Sequence, residues 1–215
     1  LWIDNRSATW TQSQVSNFCV ALEDAWSISD IAYSLDSCEG RTVTQGAMFH
    51  EDESGEYIIN SLWHGIPADA NVDRVWMPEG YTDGRTAVSD DEIVIDSHVF
   101  DALNLTLGDS ISIGAGNDTV NFTIVGTGYH PLHVLMAPEG DILPSEPGQF
   151  VVGYLSDVGM SRLTGSSIGT SNTILLDIEG TPSFDFPDTA EYEGKELDLV
   201  KGLVDEALKS SQLDA

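Results

Sequence analysis

The stretch from Asp91 to Gly126 constrains the fold more than any other part of the chain. It contains a buried strand that begins at Glu92, a short helix, and two further strands in which apolar and polar residues alternate. A Gly-Asn-Asp turn at Gly116 separates the two alternating strands. The apolar positions of the helix and of these strands are Val99, Phe100, Leu103, Ile111, Ile113, Val120, Phe122 and Ile124. This pattern predicts a compact β-rich region with one short helix.

The same stretch, with the preceding Glu79-Gly-Tyr-Thr-Asp-Gly-Arg85, resembles a known family. In the extracytoplasmic core domain of ABC transporter permeases of the MacB, FtsX and LolE type, a G-R turn precedes a D-E-V-V-I strand. An L-G-L-x-x-G-D helix end and an F-x-V-V-G strand then follow. The corresponding residues here are Gly84-Arg85, Asp91–Ile95 (DEIVI), Leu107-Gly-Asp109 and Phe122–Gly126 (FTIVG).

The resemblance implies an α+β fold with two subdomains. Residues 1–70 and 150–215 would form a discontinuous α/β subdomain, and residues 71–149 would form an inserted β-rich subdomain. The chain would then be a soluble fragment from the extracytoplasmic side of the cell membrane, lying between two membrane helices of its parent permease. The sequence itself contains no run of about 18 apolar residues.

The family also implies a non-catalytic role. ATP is hydrolysed by a cytoplasmic ATP-binding-cassette subunit, and the permease transmits the motion to the outer domain, which acts on an extracytoplasmic substrate or partner. A second permease copy is the other implied partner. Two alternatives stay open: a secreted or surface-anchored binding module unrelated to transport, and a hydrolase whose site has no recognisable motif.

The charge of the chain argues against two classes of partner, nucleic acid and the anionic membrane surface. Thirty-six Asp and Glu residues oppose eight Lys and Arg residues, for a formal net charge of -28. The acidic residues are spread along the whole chain, so we expect a solvated acidic surface that repels nucleic acid and anionic headgroups. Scattered carboxylates rarely converge on one cation, and the sequence therefore predicts neither a metal site nor a cofactor.

The remaining segments predict alternating helices and strands. Thr11-Gln-Ser-Gln14 has the form of a capping box before an amphipathic helix. Strands are expected around residues 31–35, 42–49, 57–66, 150–155 and 172–178, with a short helix after Ser156. An apolar stripe from Leu197 to Leu208 predicts a last helix.

The two cysteines, Cys19 and Cys38, permit one disulfide. It would close a loop of roughly 20 residues and contribute on the order of 3 kcal/mol to stability. Cys19 also lies on the apolar face of the predicted first helix, where a free buried thiol is about as common. Both interpretations stay open from the sequence.

No motif predicts catalysis. Gly165-Ser-Ser-Ile-Gly169 lacks the strand and the His and Asp partners of a nucleophile elbow, so we expect a loop. Asp90-Asp91 and Asp185 with Asp188 are interpreted as solvated turn residues. His130-Pro-Leu-His133 is a histidine pair, but a ligand role would need a third convergent donor.

Two further groups have structural or binding interpretations. Arg85 and Asp91 are candidates for a structural ion pair. Trp63 and Trp76 flank the expected linker between the subdomains and could line a groove.

Overall fold

A computed structural model describes residues 1–5, 8–31, 33–52, 55–115, 119–130, 133, 145–179 and 195–213. Helices and strands are both present, so the fold is α+β, as predicted. The helices are α1 (Gln12–Ser27), α2 (Ser97–Ala102), α3 (Asp157–Thr164) and α4 (Lys195–Ser210). The strands are β1 (Trp2–Asp4), β2 (Ser34–Asp52), β3 (Gly55–Ile66), β4 (Glu92–Asp96), β5 (Ser110–Gly114), β6 (Thr119–Gly128), β7 (Phe150–Ser156) and β8 (Thr173–Glu179).

The chain folds into two compact units. Unit 1 combines Leu1–Gly40 with Thr170–Ala215, and unit 2 is the continuous segment Arg41–Gly169. The sequence places the inserted region at residues 71–149, whereas the units change at residues 40 and 170. The difference arises because β3 and β7 pair with each other, and β7 pairs in turn with β4. These hydrogen bonds keep all three strands in unit 2.

Unit 1 is built on two helices and a small sheet. Thr11 caps α1 as predicted, because its side chain accepts from Gln14 N–H while the Gln14 side chain accepts from Thr11 N–H. Helix α4 packs against α1, and β1 pairs antiparallel with β8. The shared core consists of Ile3, Trp10, Val15, Phe18, Cys19, Leu22, Trp26, Ile174, Leu176, Val200, Val204, Ala207 and Leu213.

A disulfide joins Cys19 of α1 to Cys38 of β2, two residues separated by 19 positions. Both ends of this link lie in unit 1. The cross-link holds the two residues together in the unfolded chain as well, so the chain loses less conformational entropy on folding.

Unit 2 is a closed ring of strands. Its order is β2, β3, β7, β4, β6 and β5, and β5 pairs back onto β2 through Ala47↔Gly114, Met48↔Ile113 and Phe49↔Ser112. The ring closes tightly at Gly46, where a Cβ atom would lie 2.0 Å from the Gly114 carbonyl oxygen. The ring surrounds an apolar core that includes Met48, Ile59, Trp63, Ile93, Ile95, Ile111, Ile113, Phe122, Ile124, Val151 and Leu155.

The elements between Glu92 and Gly126 are confirmed. Strand β4 is followed by α2 and then by β5 and β6, and the predicted apolar positions of these strands pack in the core of unit 2. Strand β6 continues past Gly126 to Gly128. The predicted turn at residues 116–118 lies outside the described residues.

Two sequence interpretations need correction. The strand expected around residues 42–49 and the end of the one expected around residues 31–35 belong to one long strand, β2 (Ser34–Asp52), without a break between them. Trp63 does not line a groove: it is fully buried in the core of unit 2, and its indole N–H donates to the Gly114 carbonyl at 3.3 Å. Trp76 is largely exposed. None of the described helices has the length and apolar character that crossing a lipid bilayer requires.

The disulfide gives a first prediction. The double variant Cys19→Ala/Cys38→Ala should lose about 3 kcal/mol of unfolding free energy, because its unfolded chain is no longer cross-linked. Urea unfolding followed by tryptophan fluorescence would measure the difference. The wild type in reducing buffer should match the double variant, and an unchanged midpoint after reduction would contradict the prediction.

Candidate functional site

Strand alternation places His64 on the outer side of the ring in unit 2. Trp63 points into the core, so its neighbour His64 in β3 points the other way. His64 is the parallel register partner of Tyr154 in β7. Tyr154 belongs to a second apolar cluster with Val94, Phe150 and Val152. The His64 imidazole is therefore buried among side chains on the outer face of the strands.

His130 and His133 reach the same place from the end of β6. The His133 N–H donates to the His130 carbonyl at 3.0 Å. His130 is buried, like His64, whereas His133 is half-buried. The imidazoles of His130 and His133 both lie against His64.

These three rings, here called the histidine cluster, are in mutual contact. The ring centroids of His64 lie 5.0 Å from His130 and 4.9 Å from His133. His130 and His133 are 5.3 Å apart, also between ring centroids. His64 Nε2 and His133 Nε2 are separated by 2.8 Å, so one of these nitrogens donates a hydrogen bond to the other. Such a bond requires that at least one of the two rings is neutral.

Burial keeps the histidine cluster neutral. The pKa of His64 is well below its ordinary value because the ring is desolvated, and the two other histidines and Arg41 lower it further. Burial lowers the pKa of His133 to about 4, and His130 adds to that shift. The pKa of His130 is also lowered by burial, although Asp73 opposes the shift. At neutral pH, therefore, each ring has one N–H group and one lone pair.

Tyr154 and Asp96 extend the buried polar region. The Tyr154 ring stacks on His130 with 5.7 Å between centroids, and its hydroxyl has no hydrogen-bond partner among the described residues. Desolvation raises its pKa well above the ordinary value, as does the charge of Asp96. Asp96 is itself buried and accepts from the backbone N–H of His98 at 2.9 Å, which caps α2. Burial raises the pKa of this carboxyl.

The sequence supplied only two members of the histidine cluster. The pair His130 and His133 lacked a third convergent donor, and His64 occupies that position. One signal was available: in YIINSLWHGI, strand alternation places His64 on the same face as Leu62 and Ile66, where an apolar residue would be expected. Recognising the contact with the pair requires the pairing of β3 with β7, which strand alternation does not give.

The candidate ion pair of Arg85 with Asp91 was wrong in its partner. Arg85 makes two hydrogen bonds to the Glu92 carboxylate, at 2.8 and 2.5 Å. The Glu92 carboxylate also accepts from the backbone N–H groups of Val88 and Ser89. Arg85 and these N–H groups lower the pKa of Glu92 to about 2. Asp91 is exposed, and its carbonyl accepts from Thr123 N–H.

The other sequence motifs have structural places or lie outside the described residues. Gly165 ends α3 in the left-handed conformation, and the Gly165–Gly169 segment is a loop, as expected. Asp90 is exposed. Asp185 and Asp188 lie outside the described residues. Cys19 and Cys38 belong to unit 1, whereas the three members of the histidine cluster belong to unit 2.

The low pKa values of the histidine cluster predict a loss of stability in acid. Histidines of the unfolded chain take up protons near pH 6.5, whereas His133 of the folded chain resists protonation until about pH 4. The unfolded state therefore binds more protons between these two pH values. The contribution of the histidines to the free energy of unfolding is fully present above pH 6.5 and decreases as the pH falls.

Urea unfolding of the wild type and of His133→Gln between pH 7.5 and pH 4.5 would check this. The variant should lose less stability than the wild type over this range, because it has one buried imidazole fewer. The comparison cancels the effect of the carboxylates, which both proteins share. Equal pH dependence in the two proteins would contradict the prediction.

Solved structures that are similar to this chain include two domains of bacterial transporters. The extracellular domain of the noncanonic ABC-type transporter YknZ from Gram-positive bacteria is 15% identical, with a TM-score of 0.46, over 95% of this chain and 83% of that one. The periplasmic region of MacB from Actinobacillus actinomycetemcomitans is 12% identical, with a TM-score of 0.47, over 98% of this chain and 77% of that one. No protein-family model matches the chain, and a search of curated proteins finds no similar sequence. Both solved structures are extracytoplasmic domains of the transporter class that the sequence pattern resembles, and at these identities and TM-scores neither assigns a function to this chain.

Proposed function

We propose that this chain is the extracytoplasmic domain of an ABC transporter permease and that it is not an enzyme. In this role it moves in response to ATP hydrolysis by a cytoplasmic subunit and acts on a substrate or partner outside the membrane. A second permease copy would complete the transporter. The proposal rests on the residues between Glu79 and Gly126, which carry the family pattern.

The support is that the parts of this pattern contact one another. Gly84 forms a bridge with Gly126, and the Arg85 N–H donates to the Val125 carbonyl at 3.0 Å. The G-R turn therefore lies directly on the F-T-I-V-G strand. The Arg85 side chain in turn binds Glu92, the second residue of the D-E-I-V-I segment.

The third part of the pattern joins the same assembly. The Gly108 N–H donates to the Ile124 carbonyl at 2.8 Å, and the Ile124 N–H donates to the Asp109 carbonyl at 2.9 Å. Residues that are recognised separately in the sequence thus form one hydrogen-bonded assembly around β6. Such mutual dependence explains why the pattern occurs as a set, and it favours a shared fold over chance similarity.

The order of the two units along the chain also supports the proposal. A domain inserted between two membrane helices receives and returns the chain through one part of its structure. Here residues 1–40 and 170–215 belong to one unit, and unit 2 is inserted between them.

The alternative is a secreted or surface-anchored binding module. The formal net charge of this chain, -28, suits either role outside the cytoplasm. The two functions differ in their partners, because only a permease requires an ATP-hydrolysing subunit.

Purification of the full-length parent protein from its native membranes, in mild detergent, distinguishes these functions. We expect an ATP-binding-cassette subunit and ATPase activity to co-purify with it. The isolated chain of residues 1–215 serves as the control and should retain neither, since that subunit engages the cytoplasmic side. Recovery of the parent protein from the culture medium, or from membranes without an ATPase, would favour the binding module.

A matched pair of glycine variants tests the contact between the G-R turn and β6. Gly84 and Gly80 have the same positive φ of 82°. A Cβ atom on Gly84 would lie 2.2 Å from the Val125 carbonyl oxygen, whereas one on Gly80 would meet nothing within 4 Å. Gly80→Ala should cost about 1 kcal/mol from the backbone conformation alone. Gly84→Ala should cost at least about 2 kcal/mol, because the turn must also separate from β6.

Urea unfolding of both variants would measure the two losses. Equal losses would mean that the turn does not depend on its contact with β6. The shared pattern would then lose its structural explanation.

A further inference from the structure

Half of the eight asparagines in the chain begin the tripeptide Asn-x-Ser/Thr. This tripeptide is the acceptor sequence for N-linked glycosylation in proteins outside the cytoplasm. The four asparagines are Asn5, Asn104, Asn117 and Asn121. Because so short a motif also arises by chance, exposure and backbone structure are needed to identify a usable acceptor. Asn117 lies outside the described residues, and the other three differ in both respects.

Asn5 is not a usable acceptor, because its side chain is buried. Its carboxamide oxygen accepts from the Ala8 N–H at 3.1 Å, which fixes the orientation of the group. A sugar on the nitrogen of the same carboxamide would have to fit inside the fold.

Asn121 is exposed, but it lies in the middle of the sheet of unit 2. Its strand, β6, pairs with β5 on one side, where Asn121 is opposite Ser112. On the other side β6 pairs with β4, and the Thr123 N–H donates to the Asp91 carbonyl at 2.7 Å. An enzyme could draw the tripeptide Asn121-Phe-Thr123 into its own site only by removing β6 from between two strands.

Asn104 lies at the surface, in the turn that follows α2. Leu103 and Leu105 on either side of it pack against the core of unit 2, whereas Asn104 and Thr106 are exposed. The backbone N–H groups of Asn104 and Leu105 donate to carbonyls within α2, at 3.2 and 3.0 Å. These hydrogen bonds are local, so this tripeptide can enter an enzyme site without the loss of any strand pairing.

The backbone explains the asparagine at position 104 but not the threonine two residues later. The φ of Asn104 is 51°, in the left-handed region that favours glycine and, after it, asparagine. The family pattern L-G-L-x-x-G-D, aligned with residues 103–109 (LNLTLGD), has glycine at this position. Thr106 occupies a position that the pattern leaves open. Only its backbone N–H bonds to the Asp109 carboxylate, at 2.7 Å, so the fold does not require a hydroxyl there.

We propose that Asn104 is a site of N-linked glycosylation, with a lipid-phosphate-linked oligosaccharide as the sugar donor. The carboxamide nitrogen of Asn104 forms a bond to the anomeric carbon of the sugar and gives up one proton to a base of the transferase. The bond between that carbon and the phosphate oxygen breaks, and the lipid phosphate leaves with the electron pair. The inference rests on the extracytoplasmic location in the proposed function, which the permease domain and the binding module share.

Mass spectrometry of the full-length parent protein from its native membranes tests the proposal. A protease that cleaves before aspartate places Asn104 in the peptide 101–108 (DALNLTLG), whereas Asn5 and Asn121 fall in the peptides 4–23 and 118–140. After reduction of the disulfide, we expect sugar mass on peptide 101–108 and none on the other two. An unmodified 101–108 peptide, or an equally modified 4–23 peptide, would overturn the proposal.

Variants of the parent protein, produced in its native host, provide matched controls. Asn104→Gly removes the acceptor and keeps a residue suited to a φ of 51°, so the variant should fold and lose the sugar. Thr106→Ala should lose the sugar as well, whereas Thr106→Ser should retain it, because serine also completes the tripeptide. Gel mobility and mass would measure the loss, and circular dichroism of the domain would verify folding. Equal modification of the wild type and Thr106→Ala would contradict the proposal.

Protease treatment of cells stripped of their outer envelope separates this inference from the proposed function. If residues 1–215 are digested from outside and peptide 101–108 is unmodified, only the glycosylation site is overturned. If residues 1–215 are protected, the extracytoplasmic location is wrong, and the glycosylation site fails with it.

Discussion

The pairing of β5 with β2 is the contact on which unit 2 depends. Without it the six strands would form an open sheet that ends in an exposed edge at β5. With it, the unit has an inside and an outside, and every strand sends alternate residues to one or the other. Gly46 permits this closure because a side chain there would collide with the Gly114 carbonyl. A single small residue thus determines how closely the two strands can approach.

Because the closed unit has an inner and an outer side, adjacent residues of one strand lie in different surroundings. Trp63 fills the core of the ring, and His64 lies on its outer side. The outer side is buried as well, because Val75 and Ala87 pack on the apolar residues of β3, β4, β6 and β7 there. Polar rings placed under this cover lose water, and that loss of water makes the histidines resist protonation.

Local patterns in the sequence predicted the elements but not their partners. The capping box at Thr11 and the alternation in β5 and β6 are encoded within a few residues, and the structure has them. The parallel pairing of β3 with β7 joins residues that are distant in the sequence, and alternation carries no information about which strand lies beside which. For that reason the sequence indicates His130 and His133 as a pair but not their contact with His64. The predicted discontinuous α/β subdomain, residues 1–70 and 150–215, includes β3 and β7.

Unit 1 is built from two separate stretches of the chain, and this affects how it folds during synthesis. Helix α1 is made before unit 2, but the residues that cover its apolar face include Val200, Val204 and Ala207 of α4. All of unit 2 is made between these two helices, and domains generally fold as their chain emerges. Unit 2 can therefore complete its ring while α1 still lacks its helical neighbour. During that interval the apolar face of α1, which includes Phe18 and Leu22, is open to solvent and to chaperones.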